Sequence, residues 1–259
     1  MNRVLKYIFA GICGGIIIAC MVCSFIAGSS MREEISCTGL EICIKDSLTN
    51  SFVSQDAVKK YLDKEYGIYV GKSIKDIDLV RIEKILDSRS AVLKSQAYIT
   101  GNGVLHIDVT QRSPIVRFQK KDGGFYADAE GYIFPLQNSY ASHVQIVDGY
   151  IPLAANSGYK GEIKDAGERE WFRKVINLVN YMQGSRVWKD KIVQIHVDSE
   201  GNLILIPREG NEQFIIGQPD EIEEKFEKMR KYYTAIIPEK NSGTYRHVDL
   251  RYRGQIVCR

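Results

Sequence analysis

Few side chains in this sequence combine the type and spacing that catalysis or ligand binding requires. The stretch GIYVGKS, residues 67–73, resembles a phosphate-binding loop, but only three residues separate its glycines where that motif needs four. It also follows a predicted helix instead of a strand. A loop that is one residue short cannot surround a phosphate with its amides in the same way, so a helix end and a turn explain these residues better.

The cysteines and histidines lack the spacing of a metal or redox site. Cys20 and Cys23 are spaced C-x-x-C, but they lie in an apolar run without a basic neighbour, where thiols stay protonated and inert. Cys37 and Cys43 fall on one predicted strand, about 20 Å apart, too far for a disulfide unless that strand bends back. The four histidines are scattered, and no pair has the i, i+4 spacing of a helical zinc site.

No nucleophile–base motif is present in the sequence either. We therefore expect no enzymatic activity, no cofactor and no bound metal, although a catalytic pair assembled only by the fold would escape this reasoning. The net charge of +3 over 259 residues is too small for a nucleic-acid-binding surface. Binding to other proteins is the function class that this composition leaves open.

The first segment of the chain determines its expected compartment. Residues 7–27 carry no charged side chain, and 21 such residues are enough to cross a bilayer as one helix. Arg3 and Lys6 precede this run, whereas Arg32 is followed at once by two glutamates. The positive-inside rule then places residues 1–6 in the cytoplasm and the bulk of the chain outside it.

Two other interpretations of the apolar run stay open. It is longer than the apolar region of a cleaved signal peptide. The residues before Cys20 resemble the site at which bacterial lipoproteins are lipidated, but the chain continues apolar after it. If the helix is retained, Gly11 and Gly15 have the small-x-x-x-small spacing that lets two membrane helices approach closely.

The remaining sequence predicts an α+β protein with two units. After a polar joint at residues 28–34, residues 35–117 have the order strand, helix, helix, strand, strand. Residues 118–259 alternate hairpins with two amphipathic helices, which predicts a mixed β-sheet domain. In its last stretch, YRHVDLRYRGQIVCR, apolar or small residues alternate from Val248 to Cys258, as in one half-buried strand.

This order of elements resembles the FtsQ/DivIB family of bacterial cell-division proteins over nearly the whole chain. SPIVRF (residues 113–118) is similar to the segment where that family leaves its POTRA domain, YADAEGYIFPL (126–136) to the first hairpin of its β domain, and YRHVDLRY (245–252) to its final strand. The resemblance implies a POTRA-like module at residues 35–117 and a β domain at 118–259. It also implies a single-pass protein of the bacterial inner membrane, with its bulk in the periplasm.

The resemblance further implies a non-enzymatic scaffold of the cell-division complex. Proteins of this family bind two small coiled-coil membrane proteins, FtsB and FtsL, and FtsB adds a strand at the end of the β domain. A strand at the edge of a sheet offers unpaired N–H and C=O groups for such pairing. The residues that we assign to this partner-binding edge are Arg246, Val248, Leu250, Arg251, Tyr252, Arg253, Gly254 and Ile256.

Three of these residues are arginines opposed by one acid, Asp249, so we expect an acidic partner segment. If the strand instead lies inside the sheet, its charges are simply solvated. Two alternative functions remain: a POTRA-containing factor for envelope assembly or secretion, and a membrane-anchored periplasmic hydrolase. No small-molecule substrate is expected in the division-scaffold interpretation.

Overall fold

The computed structural model describes residues 13–24, 35–47, 51–239 and 244–259, and the chain divides into two compact units. The first unit comprises Met1–Ser47 and Val53–Gln111, and the second comprises Leu48–Phe52 and Arg112–Arg259. Residues 13–24 are helical, and within the described ranges no helix combines the length and apolarity that a membrane crossing requires. The expected span over residues 7–27 extends past this helix on both sides, beyond the described residues.

The first unit has the predicted order of two helices and three strands. Its elements are β1 (Gly39–Ile44), α1 (Gln55–Glu65), α2 (Leu79–Asp87), β2 (Val92–Ile99) and β3 (Val104–Gln111). The central strand is β3, which pairs with β1 in parallel and with β2 in antiparallel orientation. The last two strands of the unit, β2 and β3, therefore form a hairpin.

Both helices of the first unit begin at a residue whose side chain caps them. Ser54 accepts a hydrogen bond from the N–H of Ala57 at the start of α1, and Asp78 does the same for α2. Each helix then buries one apolar face, which includes Leu62 on α1 and Leu86 on α2.

The second unit is a mixed sheet of nine strands with two long helices, as predicted. Its elements are β4 (Pro114–Lys120), β5 (Gly123–Asp128), β6 (Ile133–Pro135), β7 (Gln145–Gly149), α3 (Ala166–Gly184), β8 (Ile192–Val197), β9 (Leu203–Pro207), β10 (Gln213–Gly217), α4 (Ile222–Lys231), β11 (His247–Asp249) and β12 (Val257–Cys258). The strand order is β12-β11-β10-β9-β8-β7-β4-β5-β6. The predicted domain boundary after residue 117 falls inside β4.

The core of the second unit follows from strand alternation. On β9, Leu203 and Leu205 are fully buried, whereas Ile204 and Ile206 between them are only half-buried. The buried set packs with the apolar faces of α3 and α4 in one cluster, which includes Phe226 of α4. The helices therefore cover the sheet face toward which the buried residues point.

The prediction of one continuous strand from Val248 to Cys258 is wrong. The chain leaves β11 after Asp249, turns at residues 252–254, and returns as β12 antiparallel to β11. Gly254 has φ +66°, a left-handed conformation that favours glycine. As a result β11 lies between β10 and β12, and the edge of the sheet is β12.

Candidate functional site

The edge strand β12 presents main-chain groups that no described residue binds. His247 and Arg259 exchange two hydrogen bonds: the N–H of His247 donates to the Arg259 carbonyl at 3.0 Å, and the N–H of Arg259 donates back at 2.9 Å. Main-chain groups alternate in direction along a strand, so those of Ile256 and Cys258 point away from β11. Within the described chain these outward N–H and C=O groups have no hydrogen-bond partner.

The outer edge of the first sheet at β2 is closed by carboxylates from α2. The outward N–H of Ser95 donates to Asp87 Oδ1 at 2.7 Å, and that of Ala97 donates to Glu83 Oε1 at 2.8 Å. A strand whose outward donors are already bound has less to offer a second chain. The β2 edge is therefore a poor docking site.

The β6 edge is also bonded within the chain, whereas the β1 edge is bonded at one carbonyl. On β1, the carbonyl of Ile42 accepts a hydrogen bond from Gln55 Nε2 at 2.8 Å. On β6, Ile133 exchanges two main-chain hydrogen bonds with Gly161. Pro135 has no N–H, and its carbonyl accepts from Gln137 Nε2 at 3.1 Å. Compared with the β2 and β6 edges, the described part of β12 is open.

The side chains of the edge divide between the core and the surface. Ile256 and Cys258 are half-buried and pack against the core cluster. Val248 and Leu250 are fully buried, so their side chains are not accessible to a partner. Tyr252 is about half exposed, at 51%.

The charges at this edge are more balanced than the sequence indicates. The guanidinium of Arg251 binds both carboxylate oxygens of Asp249, with Nε 3.0 Å from Oδ1 and a terminal nitrogen 2.7 Å from Oδ2. Burial alone would raise the pKa of Asp249, but the hydrogen bonds from Arg251 hold that pKa below its ordinary value. Arg253 pairs with Glu221 at the start of α4. Two of the three arginines on which the expectation of an acidic partner rests are therefore already paired within the chain. The third, Arg246, is exposed.

Sequence reasoning placed the candidate edge too early in the chain. Cys258 continues the apolar alternation that begins at Val248, so the sequence predicts that it lies on the strand. It was nevertheless left out of the residues assigned to the partner-binding edge. Of the assigned residues, Ile256 lies on the open edge, and Arg251, Tyr252, Arg253 and Gly254 form the reversal before it. Whether these residues bind a partner stays a prediction.

A second surface feature is a groove at the ends of β7 and β8. His196 Nδ1 lies 2.8 Å from Asp148 Oδ1. The groove has a volume of about 700 Å³, and none of the described residues that line it is serine, threonine or cysteine. The His–Asp pair therefore has no neighbouring nucleophile of the kind that a hydrolytic triad uses. Across the described residues, no group of three or more His, Cys, Asp and Glu side chains is placed to hold a metal ion.

Similarity to known families covers both units. Residues 113–259 match the family described as FtsQ/DivIB, C-terminal related, and residues 35–110 match the POTRA-like domain. No curated protein matches the chain. The open edge at β12 lies within the first of these matches.

Proposed function

The chain belongs to the FtsQ/DivIB family, and we propose that it is a non-enzymatic cell-division scaffold that joins FtsB-like and FtsL-like membrane proteins. In this proposal the apolar run at residues 7–27 anchors it in the bacterial inner membrane, and both described units lie in the periplasm. The family match supports a role in cell division. The particular partners and the location are our inference.

The observation that carries the docking role is the open edge at β12. Ile256 and Cys258 each offer one N–H and one C=O to a second chain. Main-chain hydrogen bonds contribute about 0.5–1.5 kcal/mol each. Pairing of this kind is strand addition, in which the main chain supplies affinity and the side chains supply selectivity.

The half-buried side chains indicate which partner segment fits. On an added strand, residues in register with Ile256 and Cys258 point to the same face as these two side chains, toward the apolar core cluster. The FtsB-like segment should therefore carry apolar side chains two positions apart. Because two of the arginines are already paired, an excess of acidic residues is not required of it.

Substitution of Cys258 by proline tests this docking mode. Proline removes the outward N–H and is tolerated on an edge strand, whereas Cys258→Ala keeps the main chain and changes only the side chain. The probe is the extracytoplasmic segment of the FtsB-like protein from the same organism, titrated into the purified full-length chain. We expect Cys258→Pro to weaken binding by about tenfold or more, since that is about 1.4 kcal/mol, and Cys258→Ala by no more than about threefold.

The tryptophan fluorescence of the two variants should match that of the unmodified chain, which shows that the second unit is folded. A folded Cys258→Pro protein that binds as tightly as the unmodified chain would contradict the edge-docking role. The division role has a separate test in living cells. Depletion of the protein should give undivided filaments, and normal division after complete depletion would refute it.

A further inference from the structure

A buried lysine on α4 holds the reversal between β11 and β12. The side chain of Lys228 is 9% exposed, and its Nζ donates to the carbonyls of Leu250 at 3.1 Å and Tyr252 at 2.7 Å. The same ammonium lies 2.9 Å from Glu224 Oε1, one turn earlier on the helix. An ammonium has three donors, so these contacts satisfy all of them.

These contacts explain why β11 ends where it does. The N–H of Leu250 still donates to the carbonyl of Ile215 on β10, at 2.9 Å. If β11 continued beside β10, the carbonyl of Leu250 would point to the same side as its N–H. It is bound to Lys228 instead, and the ladder between the two strands stops at this residue.

We infer that Lys228 is the positioning residue of the docking edge: by binding the carbonyls of Leu250 and Tyr252, it fixes the reversal that makes β12 the outermost strand. The inference rests on the proposed function, because it concerns the edge to which the partner is proposed to bind. Lys228 touches no partner in this scheme. It acts by ordering the edge before the partner arrives, and preordering of a binding segment increases affinity.

Lys225 provides a matched control on the same helix. Its side chain is 7% exposed, and its Nζ also binds a main-chain carbonyl, that of Gln218, and a carboxylate, that of Asp220. Lys225 thus holds the connection between β10 and α4, whereas Lys228 holds the reversal before β12. Methionine at either position keeps an apolar side chain of similar length and removes the charge.

The experiment compares Lys228→Met with Lys225→Met in the full-length chain. Two quantities are measured: hydrogen exchange at the amides of His247 and Arg259, which pair β11 with β12, and the dissociation constant for the extracytoplasmic segment of the FtsB-like protein. We expect Lys228→Met to speed exchange at both amides by about tenfold and to raise the dissociation constant about tenfold, while exchange within β8 and β9 is unchanged. Lys225→Met should leave both quantities within about threefold of the unmodified chain.

The results separate this inference from the proposed function. Unchanged exchange at His247 and Arg259 in Lys228→Met, or equal effects of Lys225→Met on them, would overturn the positioning role. If Lys228→Met speeds exchange at these amides but leaves the dissociation constant unaltered, Lys228 does not determine docking and the inference is also overturned. If Cys258→Pro binds normally, the docking edge itself is wrong, whereas the exchange result still decides whether Lys228 orders the reversal.

Discussion

Replacement of Arg112 by methionine tests a buried ion pair at the start of the second unit. A terminal guanidinium nitrogen of Arg112 lies 2.9 Å from Asp128 Oδ2, and the two side chains are only 15% and 5% exposed. Asp128 also accepts the N–H of Tyr132 at 2.8 Å, and the guanidinium lies 3.6 Å from the centre of the Tyr132 ring. Methionine preserves much of the apolar stem but leaves the Asp128 carboxylate without its counter-charge.

The expected loss of stability is about 3 kcal/mol near pH 8. Removal of one partner from a buried ion pair destabilises a protein by about 3–5 kcal/mol. We expect the lower end of this range because Asp128 keeps the N–H of Tyr132 as a donor. In addition, Arg112 Nε has no hydrogen-bond partner among the described residues, so the existing pair is not fully satisfied.

The loss should depend on pH. Burial raises the pKa of Asp128 above its ordinary value, although hydrogen bonds from Tyr132 and Arg112 oppose that rise. A carboxyl group with a raised pKa favours folding when protonated, and this contribution is lost as pH rises through the folded pKa. Without Arg112 that pKa rises further. The difference in free energy of unfolding between the two proteins should therefore shrink as pH falls from about 8 toward about 5.

Urea unfolding followed by tryptophan fluorescence measures this difference. Both tryptophans of the chain, Trp171 and Trp188, belong to the second unit, so the signal reports that unit. As a control, Arg112→Met combined with Asp128→Asn removes both charges and should recover most of the loss and its pH dependence. A loss below about 1 kcal/mol, or one that is constant between about pH 5 and 8, would refute the reasoning.

Three further substitutions test other parts of the fold. Gly149→Ala should destabilise the second unit by about 2–4 kcal/mol in urea unfolding, because φ is +91° and an added Cβ would lie 2.1 Å from the Val197 carbonyl oxygen; a loss below about 1 kcal/mol would contradict this. Ser54→Ala should weaken α1 by about 1 kcal/mol, seen as roughly fivefold faster amide exchange in that helix, and unchanged exchange would count against the cap. Asp87→Ala uncovers the outward N–H of Ser95, so light scattering should show self-association that grows with concentration; a strictly monomeric variant would mean that this carboxylate does not protect the edge.

Local pattern predicted the elements that depend on local physics. The turn between β2 and β3, the apolar stripe of α3 and the cap at Ser54 are each set by residues within a few positions of one another, and the structure contains all three. Asp165 and Glu168 have the spacing of a capping-box pair, and Asp165 caps α3. However, the side chain of its predicted capping-box partner, Glu168, binds the N–H of Ala154 instead. That difference is tertiary, because Ala154 is brought to the helix by a loop.

The last strand was mispredicted because its alternation fits both one long strand and two short ones. Two residues favour the pair of short strands. Gly254 permits the turn, and Lys228, which lies on a helix more than twenty positions earlier, binds two carbonyls of the reversal. The sequence pattern of residues 248–258 contains neither the strand order of the sheet nor the position of α4. The ion pair of Arg253 with Glu221 escaped prediction for the same reason.

The state of a sheet edge depends on contacts of this long-range kind. Asp87 lies eight positions from the β2 amide that it binds, and Gly161 lies 28 positions from Ile133. An open edge is an aggregation hazard, and short edge strands are one way in which proteins limit it. At two residues, β12 offers too few main-chain groups to hold an arbitrary chain, so the proposed docking mode also requires apolar partner side chains beside Ile256 and Cys258. In the proposed docking role, the shortness of the edge thus favours one partner sequence over many.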